Sequence, residues 1–422
     1  MSKLDELLKG VDVEWLPLGD VCKIIGRIGY RGYTKKDIVE NKDGAIALSP
    51  SNIINDKINY EKLTFINWDK YYESPEIMIH NGDIIFCKTA SVGKTAYVED
   101  LPYLATLNPQ LVVFKEIKCL SKFLSYCLKT ENFKISLNKI IGLGSVPSIS
   151  QKDLSKLKIP IPCPDNPEKS LEIQQEIVRV LDELTSLSNQ LTTELETERQ
   201  NRKKQFEFFR EQLFSFEEGS IIFNKLGEIG EFQRGKRFVK TDMISEGVPC
   251  IHYGEMYTHY GIWANETKSF LSKELVDTKK LRLAKKNDVI MVAAGETIED
   301  IGKGTSWLSD QGVVFHDACF SFTSPLNPSY VAYFTRTKQF HDQIRRNISS
   351  GKISAINSKG LEKVYIPIPS LTEQKRIVKL LDQFDATHTA IEEEITKEIK
   401  LRTQQYEYYR EKLLSFPSLR TT

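Results

Sequence analysis

One stretch of this chain occurs twice, about 200 residues apart, with the same order of apolar and polar positions. The first copy consists of Ile-Pro-Ile-Pro at 159–162, Ile-Val-Arg-Val-Leu-Asp at 177–182 and Phe-Glu-Phe-Phe-Arg-Glu-Gln-Leu-Phe-Ser-Phe at 206–216. The second copy consists of Ile-Pro-Ile-Pro at 366–369, Ile-Val-Lys-Leu-Leu-Asp at 377–382 and Tyr-Glu-Tyr-Tyr-Arg-Glu-Lys-Leu-Leu-Ser-Phe at 406–416. Because the sequences between the copies differ strongly, the pattern predicts one scaffold, built twice, that carries two different modules.

Each copy contains a long stretch without proline or glycine, at 171–214 and at 371–414. Apolar residues recur there every three or four positions, which is the spacing of one face of an α-helix. Helices of roughly 65 Å are unstable without a partner along that face, and each is the other's obvious partner. Only about ten residues separate Phe216 from the next block, so we expect the second helix to run antiparallel and to return Phe416 towards the N-terminus.

The blocks that precede the helices read as mixed structure. Short β-type runs lie at 45–48, 83–87, 110–114 and 288–292, and helix-like segments at 120–137 and 328–348 close the two blocks. The predicted class is α+β, with two globular blocks joined by an antiparallel coiled coil in a pseudo-twofold, cyclically closed order. The predicted boundaries are a first block at 1–158, a central helical region at 159–217, a second block at 218–365 and a C-terminal helical region at 366–422.

Loops of both blocks carry side chains suited to nucleic-acid bases and phosphates. Arg and Lys can bind guanine in the major groove, Asn and Gln adenine, and Glu can accept from cytosine, while interleaved aromatic rings add stacking. Solvated polar turns are the alternative for any single residue. For the clusters we predict contacts to double-stranded DNA from Arg27, Tyr30, Arg31, Tyr33, Lys35, Ser49, Ser51, Asn52, Lys88, Ser91 and Lys94 in the first block, and from Arg234, Lys236, Arg237, His252, Tyr253, Glu255, Tyr257, Thr258, His259, Glu296, Thr297 and Lys303 in the second.

Four large side chains near the ends of the predicted helices lie off the apolar stripe, namely Phe208, Phe214, Tyr408 and Leu414. A two-helix pair alone would leave them exposed, which indicates a surface for a protein partner. Packing beneath the flanking blocks is the equal alternative.

Composition excludes several classes of function. A net charge of +1 requires any DNA contact to be local or shared with a partner, because stand-alone DNA-binding proteins are usually clearly basic. The seven cysteines contain no C-x-x-C pair, so neither a zinc site nor a disulfide framework is indicated. Without a signal-like or membrane-spanning run, a cytoplasmic protein is expected. Ser91-Val-Gly-Lys-Thr95 and Asn327-Pro-Ser-Tyr330 imitate nucleotide-binding and methyltransferase motifs without their context, and we predict no active site and no metal site.

Taken together, the repeated motifs resemble the DNA specificity subunits of type I restriction–modification systems. The resemblance rests on both Ile-Pro-Ile-Pro segments, the Gln at 174 and 374, the Ile-Val-x-x-Leu-Asp segments and the terminal Arg-Glu-x-Leu-x-Ser-Phe segments, and it covers essentially the whole chain. One departure is an insertion of seven residues around 163–170, which only the first copy contains.

That family implies a non-catalytic protein whose two target-recognition domains each read one half of a bipartite, asymmetric DNA site. The helix pair would set the spacer between the half-sites and dock two methyltransferase subunits. These partners would carry S-adenosylmethionine, and restriction and translocation subunits would bring ATP and Mg, so that this chain itself binds no cofactor. A DNA-binding adaptor outside restriction is the alternative function.

Overall fold

The structure is a computed structural model, which describes residues 10–29, 32–40, 43–142, 144–217, 219–295, 297–349, 351 and 353–416. The chain forms two compact units, the first from residues 1–193 and 398–422 and the second from 194–397. Each unit therefore combines one block with parts of both long helices. The domain boundaries predicted at 158, 217 and 365 do not coincide with the limits of these units, and they stay predictions.

Two four-stranded sheets form the body of the first unit. One is antiparallel throughout, in the order Lys23–Gly26, Leu111–Lys115, Ile84–Cys87 and Thr95–Tyr97. The other contains one parallel pair, Ala105–Leu107 with Gly44–Leu48, followed by Phe65–Asn67 and Ile38–Val39. A short hairpin pairs Ile53–Ile54 with Lys57–Ile58. Most strand residues in the centre of both sheets are buried, as expected for runs rich in Val, Ile and Leu.

The second unit repeats this arrangement with a larger first sheet. Its five strands follow the order Glu231–Arg234, Cys319–Thr323, Val289–Val292, Gly304–Trp307 and Trp263–Ala264. The second sheet follows the order Ser269–Leu271, Val248–Ile251, Val313–Phe315 and Leu283–Ala284, again with one parallel pair. A small ladder pairs Ala294–Gly295 with Ser354–Ala355. The four β-type runs predicted from the sequence all lie on strands of these sheets.

Short helices connect the strands. In the first unit they are Leu18–Val21, Trp68–Tyr72, Ser121–Cys127, Glu131–Asn138 and Gln151–Leu154, with 3-10 turns at Lys35–Asp37, Pro50–Asn52 and Pro75–Ile77. In the second unit they are Leu226–Ile229, Glu255–Thr258, Lys273–Lys279, Pro328–Phe334, Lys338–Ile344 and Ser358–Glu362, with 3-10 turns at Lys240–Asp242, Ile298–Asp300 and Arg345–Asn347.

Each helix-like segment predicted at the end of a block is in fact two helices. The break falls at Thr130 in the first unit and at Thr337 in the second, where the threonine hydroxyl accepts the backbone N–H of Phe133 or Phe340 and starts a new helix. A hydroxyl that satisfies one of the unpaired N–H groups of a first turn competes with helix continuation. Apolar periodicity alone does not show such a break.

Both Ile-Pro-Ile-Pro segments are strands that close their block. Lys158–Pro162 pairs antiparallel with Val13–Pro17, and Tyr365–Ile368 pairs in the same way with Ile222–Lys225. Each pair is a sheet of two strands only, so the prolines, which lack an N–H, occupy edge positions where no ladder bond is lost.

The two long helices span Pro167–Leu213 and Leu371–Leu414. Within the second unit they contact each other through pairs whose numbers rise on one helix and fall on the other: Arg199 Nε with Glu392 at 2.5 Å, and the stacked rings of Phe206 with His388 at 5.7 Å and of Phe209 with Phe384 at 5.0 Å. The helices are therefore antiparallel, as predicted.

The inserted residues at 163–170 explain why the first long helix begins earlier than the second. Cys163 has a φ of +44° and its backbone N–H donates to Asp12 O at 2.8 Å, which turns the chain away from the strand. Asn166 then accepts the backbone N–H of Lys169 at 3.1 Å and caps an additional first turn. The insertion thus adds one helical turn at the entry of the first helix.

Candidate nucleic-acid interface

Identical contacts fasten the block to the long helices in each unit. In the first unit, the Gln174 side chain accepts the backbone N–H of Leu120 at 2.8 Å, and Asp182 accepts the hydroxyl of Tyr126 at 2.6 Å. Both glutamines of the repeat are almost fully buried, where an unpaired amide would be costly. The Gln and Asp positions of the repeated motif therefore serve to attach the block.

The second unit repeats these bonds at the equivalent positions. Gln374 accepts the backbone N–H of Asn327 at 2.9 Å, and Asp382 accepts the hydroxyl of Tyr333 at 2.8 Å. Asn327 also caps the helix Pro328–Phe334 through Tyr330 N, so the segment that resembles a methyltransferase motif starts a helix.

A third contact comes from the opposite long helix. In the first unit, Glu411 accepts the backbone N–H of Glu131 at 3.0 Å, at the start of the helix Glu131–Asn138. In the second unit, Glu211 accepts the backbone N–H of Lys338 at 2.8 Å. A carboxylate at a helix N-terminus is stabilised by the unpaired N–H groups and the helix dipole. These three bonds, in either unit, are called the anchoring contacts below.

The end of the second long helix belongs to the core of the first unit. Leu414 and Phe416 are buried there together with Val13 and Leu181. This placement confirms the cyclic closure predicted from the repeat, because the C-terminal helical region returns to the unit that contains the start of the chain.

Arg27 is a buried anchor of its loop. The side chain is only 4% exposed, Nε donates to Leu107 O at 3.0 Å, and Nη2 donates to the Thr106 hydroxyl at 3.0 Å. Burial lowers the pKa of the guanidinium, while Tyr33, whose ring lies 5.7 Å away, counteracts that shift. The prediction that Arg27 is presented to DNA is therefore corrected: its donors hold the loop against the strand Ala105–Leu107.

The remaining candidates of the first loop divide into three groups. Tyr33 is half-buried and its hydroxyl accepts from Asn108 at 3.1 Å, whereas Lys35 is exposed on its 3-10 turn. Tyr30 and Arg31 lie outside the described residues.

Asn52 also has a structural role. It is 5% exposed, its oxygen accepts the backbone N–H of Ser49 at 3.0 Å, and its amide donates to the carbonyls of Asn59 and Lys62 at 3.3 and 3.0 Å. Ser51 is exposed and shares a hydrogen bond with the hydroxyl of Ser49 at 2.7 Å. Asn52 thus shapes this turn, and the serines are the members that a ligand can reach.

Backbone bonds hold the loop after the strand Ile84–Cys87. Lys88 donates its N–H to Gln110 O at 2.9 Å, and Ala90 donates to Pro147 O at 2.8 Å. Lys94 is exposed, while Lys88 and Ser91 are half-buried. The loop therefore presents Lys94 most openly.

In the second unit, Arg234, Lys236 and Arg237 follow the first strand of the larger sheet. Arg234 Nε donates to Asp317 O at 2.9 Å, and Lys236 Nζ donates to Lys279 O at 3.3 Å. Arg237 is exposed. Within the described ranges, none of the three forms an ion pair with a carboxylate, so their charges remain available to an anion.

Sequence reasoning missed three cations that adjoin this loop. Lys279, Lys280 and Arg282 end the helix Lys273–Lys279 and precede the strand Leu283–Ala284, and Arg282 donates to Arg234 O at 2.5 Å. The signal that could have found them is the run of five cations within 279–286. We define the basic patch as Arg234, Lys236, Arg237, Lys279, Lys280 and Arg282.

His252 and His316 lie in a cluster of rings. His252 contacts His316 at 4.7 Å between ring centroids and Tyr253 at 4.6 Å, and Phe238 lies 5.2 Å from His316. His252 is 5% exposed. This prediction is corrected as well, because the imidazole of His252 is a core element of the loop, not a side chain presented to solvent.

Glu255 organises the same loop. One carboxylate oxygen accepts the backbone N–H of His252 at 3.0 Å and the other accepts the hydroxyl of Ser269 at 2.5 Å. The Tyr257 hydroxyl donates to Ala294 O at 3.2 Å. Thr258 and His259 are the exposed members of this group.

The last predicted loop has its own internal ion pair. Lys303 Nζ lies 2.6 Å from Asp300, whose other oxygen bonds the hydroxyl of Thr297. Glu296 lies outside the described residues. Thr297 is exposed on this loop, whereas the charge of Lys303 is balanced by Asp300.

The four predicted partner-binding side chains separate into two pairs. Phe208 is 59% and Tyr408 is 63% exposed. Phe214 is 1% exposed and packs on Tyr330 and Phe334, with ring centroids 4.9 and 5.6 Å apart, and Leu414 is 2% exposed. Phe214 and Leu414 thus pack under the blocks, which was the alternative to a partner surface, whereas Phe208 and Tyr408 are exposed and stay candidates for partner contact.

Neither a metal site nor a membrane-spanning helix is found in the described ranges. No group of His, Cys, Asp and Glu side chains there is arranged to hold a metal ion. No helix in the same part of the chain is both long and apolar enough to cross a membrane.

The family model of the type I restriction modification DNA specificity domain matches residues 10–198 and again 222–401. The chain belongs to the type I restriction modification DNA specificity family. Each match covers one block with most of the long helix that follows it, which is the repeat seen in the sequence.

Individual relatives agree with this assignment. The specificity subunit of an Escherichia coli type I restriction enzyme is 30% identical over 458 residues, covering 100% of this chain and 98% of the relative. A putative type I restriction enzyme specificity subunit from Haemophilus influenzae is 28% identical and covers 98% of each chain.

Solved structures share the fold. One, from a study of complex assembly and conformational transition of the type I R-M system, matches with a TM-score of 0.70 at 17% identity, covering 95% of this chain and 97% of the other. The HsdS subunit of Thermoanaerobacter tengcongensis matches with a TM-score of 0.54 at 16% identity, covering 95% and 96%. At these identities the likeness is one of fold.

The histidine cluster predicts that acid destabilises the second unit of this family member. Nδ1 of His252 accepts the N–H of Gly254 at 3.2 Å, and Nδ1 of His316 accepts that of Ala318 at 3.1 Å, while Asp317 Oδ1 lies 3.0 Å from the same His316 nitrogen and favours its protonated form. Burial is the main cause that lowers the pKa of both imidazoles. Lys240 lowers the pKa of His252 further and Arg237 lowers that of His316, whereas Asp317 raises both and Glu255 raises that of His252. A histidine whose folded pKa is lowered stabilises the fold less as the pH falls below its unfolded pKa of about 6.5.

We expect the unfolding temperature of the second unit to fall between about pH 7 and about pH 5.5, and to fall less in a His316→Asn variant, which keeps an acceptor for Ala318. Thermal unfolding followed by circular dichroism at both pH values measures this difference. His259→Gln, at an exposed histidine of the same loop, is the matched control and should keep the wild-type dependence. An identical pH dependence in the wild type and in His316→Asn would contradict the assignment.

Proposed function

We propose that this chain is the DNA sequence-recognition subunit of a type I restriction–modification complex, in which domains 1–158 and 218–365 each read one half of a bipartite, asymmetric site. The observation that carries the proposal is the repetition of the anchoring contacts. The same Gln, Asp and Glu bonds hold both domains, while the exposed side chains of the two domains differ. Two different domains, attached by the same contacts, suit the recognition of two different half-sites.

The helix pair is proposed to set the spacer between the half-sites. Asp182 and Glu211 lie 29 positions apart on the first long helix, and Asp382 and Glu411 lie equally far apart on the second. These carboxylates belong to the anchoring contacts of different domains. Because each helix carries anchors for both domains, we propose that the length of helix between these anchors sets the spacer.

The chemistry is assigned to partner subunits. Two adenine methyltransferase subunits would bind along the helical regions and carry S-adenosylmethionine, and restriction subunits would use ATP and Mg for translocation and cleavage. This chain would bind no cofactor, catalyse no step and work in the cytoplasm. The exposure of Phe208 and Tyr408 at equivalent positions of the two helices supports two equivalent docking sites.

Exchange of one domain tests the proposal. Residues 218–365 are replaced by the corresponding domain of a relative with a known site, and the chain is expressed with its cognate methyltransferase subunits. Single-molecule sequencing of genomic DNA then reads the methylated adenines. We expect one half-site to change to that of the relative, while the other half-site and the spacer length stay the same because both helices are intact.

The reciprocal exchange of residues 12–158 is the matched control, and it should change the other half-site only. An unchanged methylation motif after either exchange would contradict the proposal. Methylation that is lost while the chain still co-purifies with the methyltransferase and binds DNA would instead favour an adaptor outside restriction and modification.

A further inference from the structure

The smaller sheets of the two units can be aligned residue by residue. In the first unit, Ala105 pairs in parallel with Ile46 and antiparallel with Ile79, which forms an isolated bridge on the other side. Ala105 therefore marks the centre of a three-stranded arrangement.

In the second unit, Val314 occupies the same place. It pairs in parallel with Cys250 and antiparallel with Leu283. Ile79 and Leu283 are thus structurally equivalent, and the residues that lead into them can be compared directly.

The segments that precede these two positions carry opposite charge. Three residues before Ile79 lies Glu76, and three residues before Leu283 lies Lys280. The first-unit segment contains no cation from 73 to 78, and Glu73 there pairs with Lys70 at 2.6 Å. The equivalent second-unit segment, 277–282, contains Lys279, Lys280 and Arg282 with a single carboxylate, that of Asp277. At the same place in the fold, one unit is acidic and the other is basic.

Hydrogen bonds to the neighbouring loop concentrate the positive charge. Lys236 and Arg282 bond the carbonyls of Lys279 and Arg234, so the segments 234–242 and 279–282 are held together. These two segments contain seven Lys and Arg side chains and a single carboxylate, that of Asp242, which pairs with Lys279 at 3.2 Å. In a chain whose net charge is +1, such an excess is local.

Backbone geometry keeps Lys280 on the surface. The residue has a φ of +48° and caps the C-terminus of the helix Lys273–Lys279, and its side chain is exposed. A cation at that end of a helix is favoured by the helix dipole, and it stays available to an anion in solution.

We propose that the basic patch of the second unit binds the phosphate backbone of DNA independently of sequence, and that the acidic segment at the equivalent place in the first unit does not. At this place in the fold, the second domain then supplies phosphate contacts that the first domain lacks. The inference rests on the proposed function, because it assumes that the chain meets DNA. It is compatible with a net charge near zero, because phosphate binding needs only a local concentration of cations.

Salt dependence tests this assignment. The complete chain, assembled with its methyltransferase subunits, carries Lys280→Ala together with Arg282→Ala, and its affinity for duplex DNA is measured by fluorescence anisotropy at several salt concentrations. A plot of log affinity against log salt has a negative slope. For every phosphate that the variant no longer neutralises, the magnitude of this slope should decrease by about 0.9, with and without the recognition site in the duplex. The reciprocal variant Glu76→Lys should make the slope steeper.

Lys338→Ala is the matched control, since it also removes one cation from the second unit, but from a lysine that pairs with Asp342 beside the long helix. Its slope should equal that of the wild type. An unchanged slope in the double variant would overturn the inference, as would loss of methyltransferase subunits from the complex, which would make the patch a protein interface. A wild-type complex that does not bind DNA at all would overturn the proposed function as well.

Discussion

Replacing Phe214 by alanine is expected to lower the free energy of unfolding of the second unit by about 3–5 kcal/mol. The ring is 1% exposed and lies between Tyr330 and Phe334 at the end of the first long helix. Its removal leaves a cavity in the main core of that unit, where the helix enters. Denaturant-induced unfolding, followed by tryptophan fluorescence, measures the loss.

Phe208→Ala is the control, at a phenylalanine six positions earlier on the same helix that is 59% exposed. Its stability should stay within about 0.5 kcal/mol of the wild type. If the partner surface is where we propose, this variant should nevertheless retain less methyltransferase during co-purification. Equal stability losses in the two variants would refute the placement of Phe214 in the core.

Gly44→Ala is expected to destabilise the first unit by more than about 4 kcal/mol. A Cβ at this position would lie 1.8 Å from the backbone oxygen of Ile66 and 2.9 Å from a methyl group of Val39. Gly44 pairs with Asn67 in the sheet, so relief of the clash requires the strands Gly44–Leu48 and Phe65–Asn67 to separate. Thermal unfolding and the yield of soluble protein both report this effect.

Gly29→Ala is the matched control in the same unit, because a Cβ at Gly29 meets no atom of the described residues within 4 Å. We expect it to unfold at the wild-type temperature. A Gly44→Ala protein that is as stable as Gly29→Ala would show that the two strands do not pair in this register.

Sequence patterns were reliable where a local rule governs the structure. An uninterrupted helical stripe specified both long helices, and their antiparallel direction followed from the short connection after Phe216. The central strands were also predicted, because buried runs of Val, Ile and Phe have few other solutions. The breaks at Thr130 and Thr337 were missed, since a hydroxyl that caps a new helix looks the same in sequence as one that points into solvent.

The candidate interface was harder to predict, because residue type does not reveal burial. Arg27, Asn52 and His252 have the chemistry of base readers, but the fold uses their donors and acceptors to hold loops. Lys280 was missed for the opposite reason. Its segment looks like an ordinary solvated helix end, and it becomes part of a patch only because Lys236 and Arg282 bind the two segments together.

The amino-acid sequence by itself determined the duplicated scaffold, the class of the fold and the family, because these depend on periodicity and on motifs that recur in one chain. Only the tertiary structure decided the roles of the repeated polar residues: Gln174, Asp182 and Glu411 attach a domain, since each meets a backbone or hydroxyl donor that is distant in sequence. It also decided which loop side chains are exposed. Burial and charge neighbours are set by packing between segments, and no local pattern encodes them.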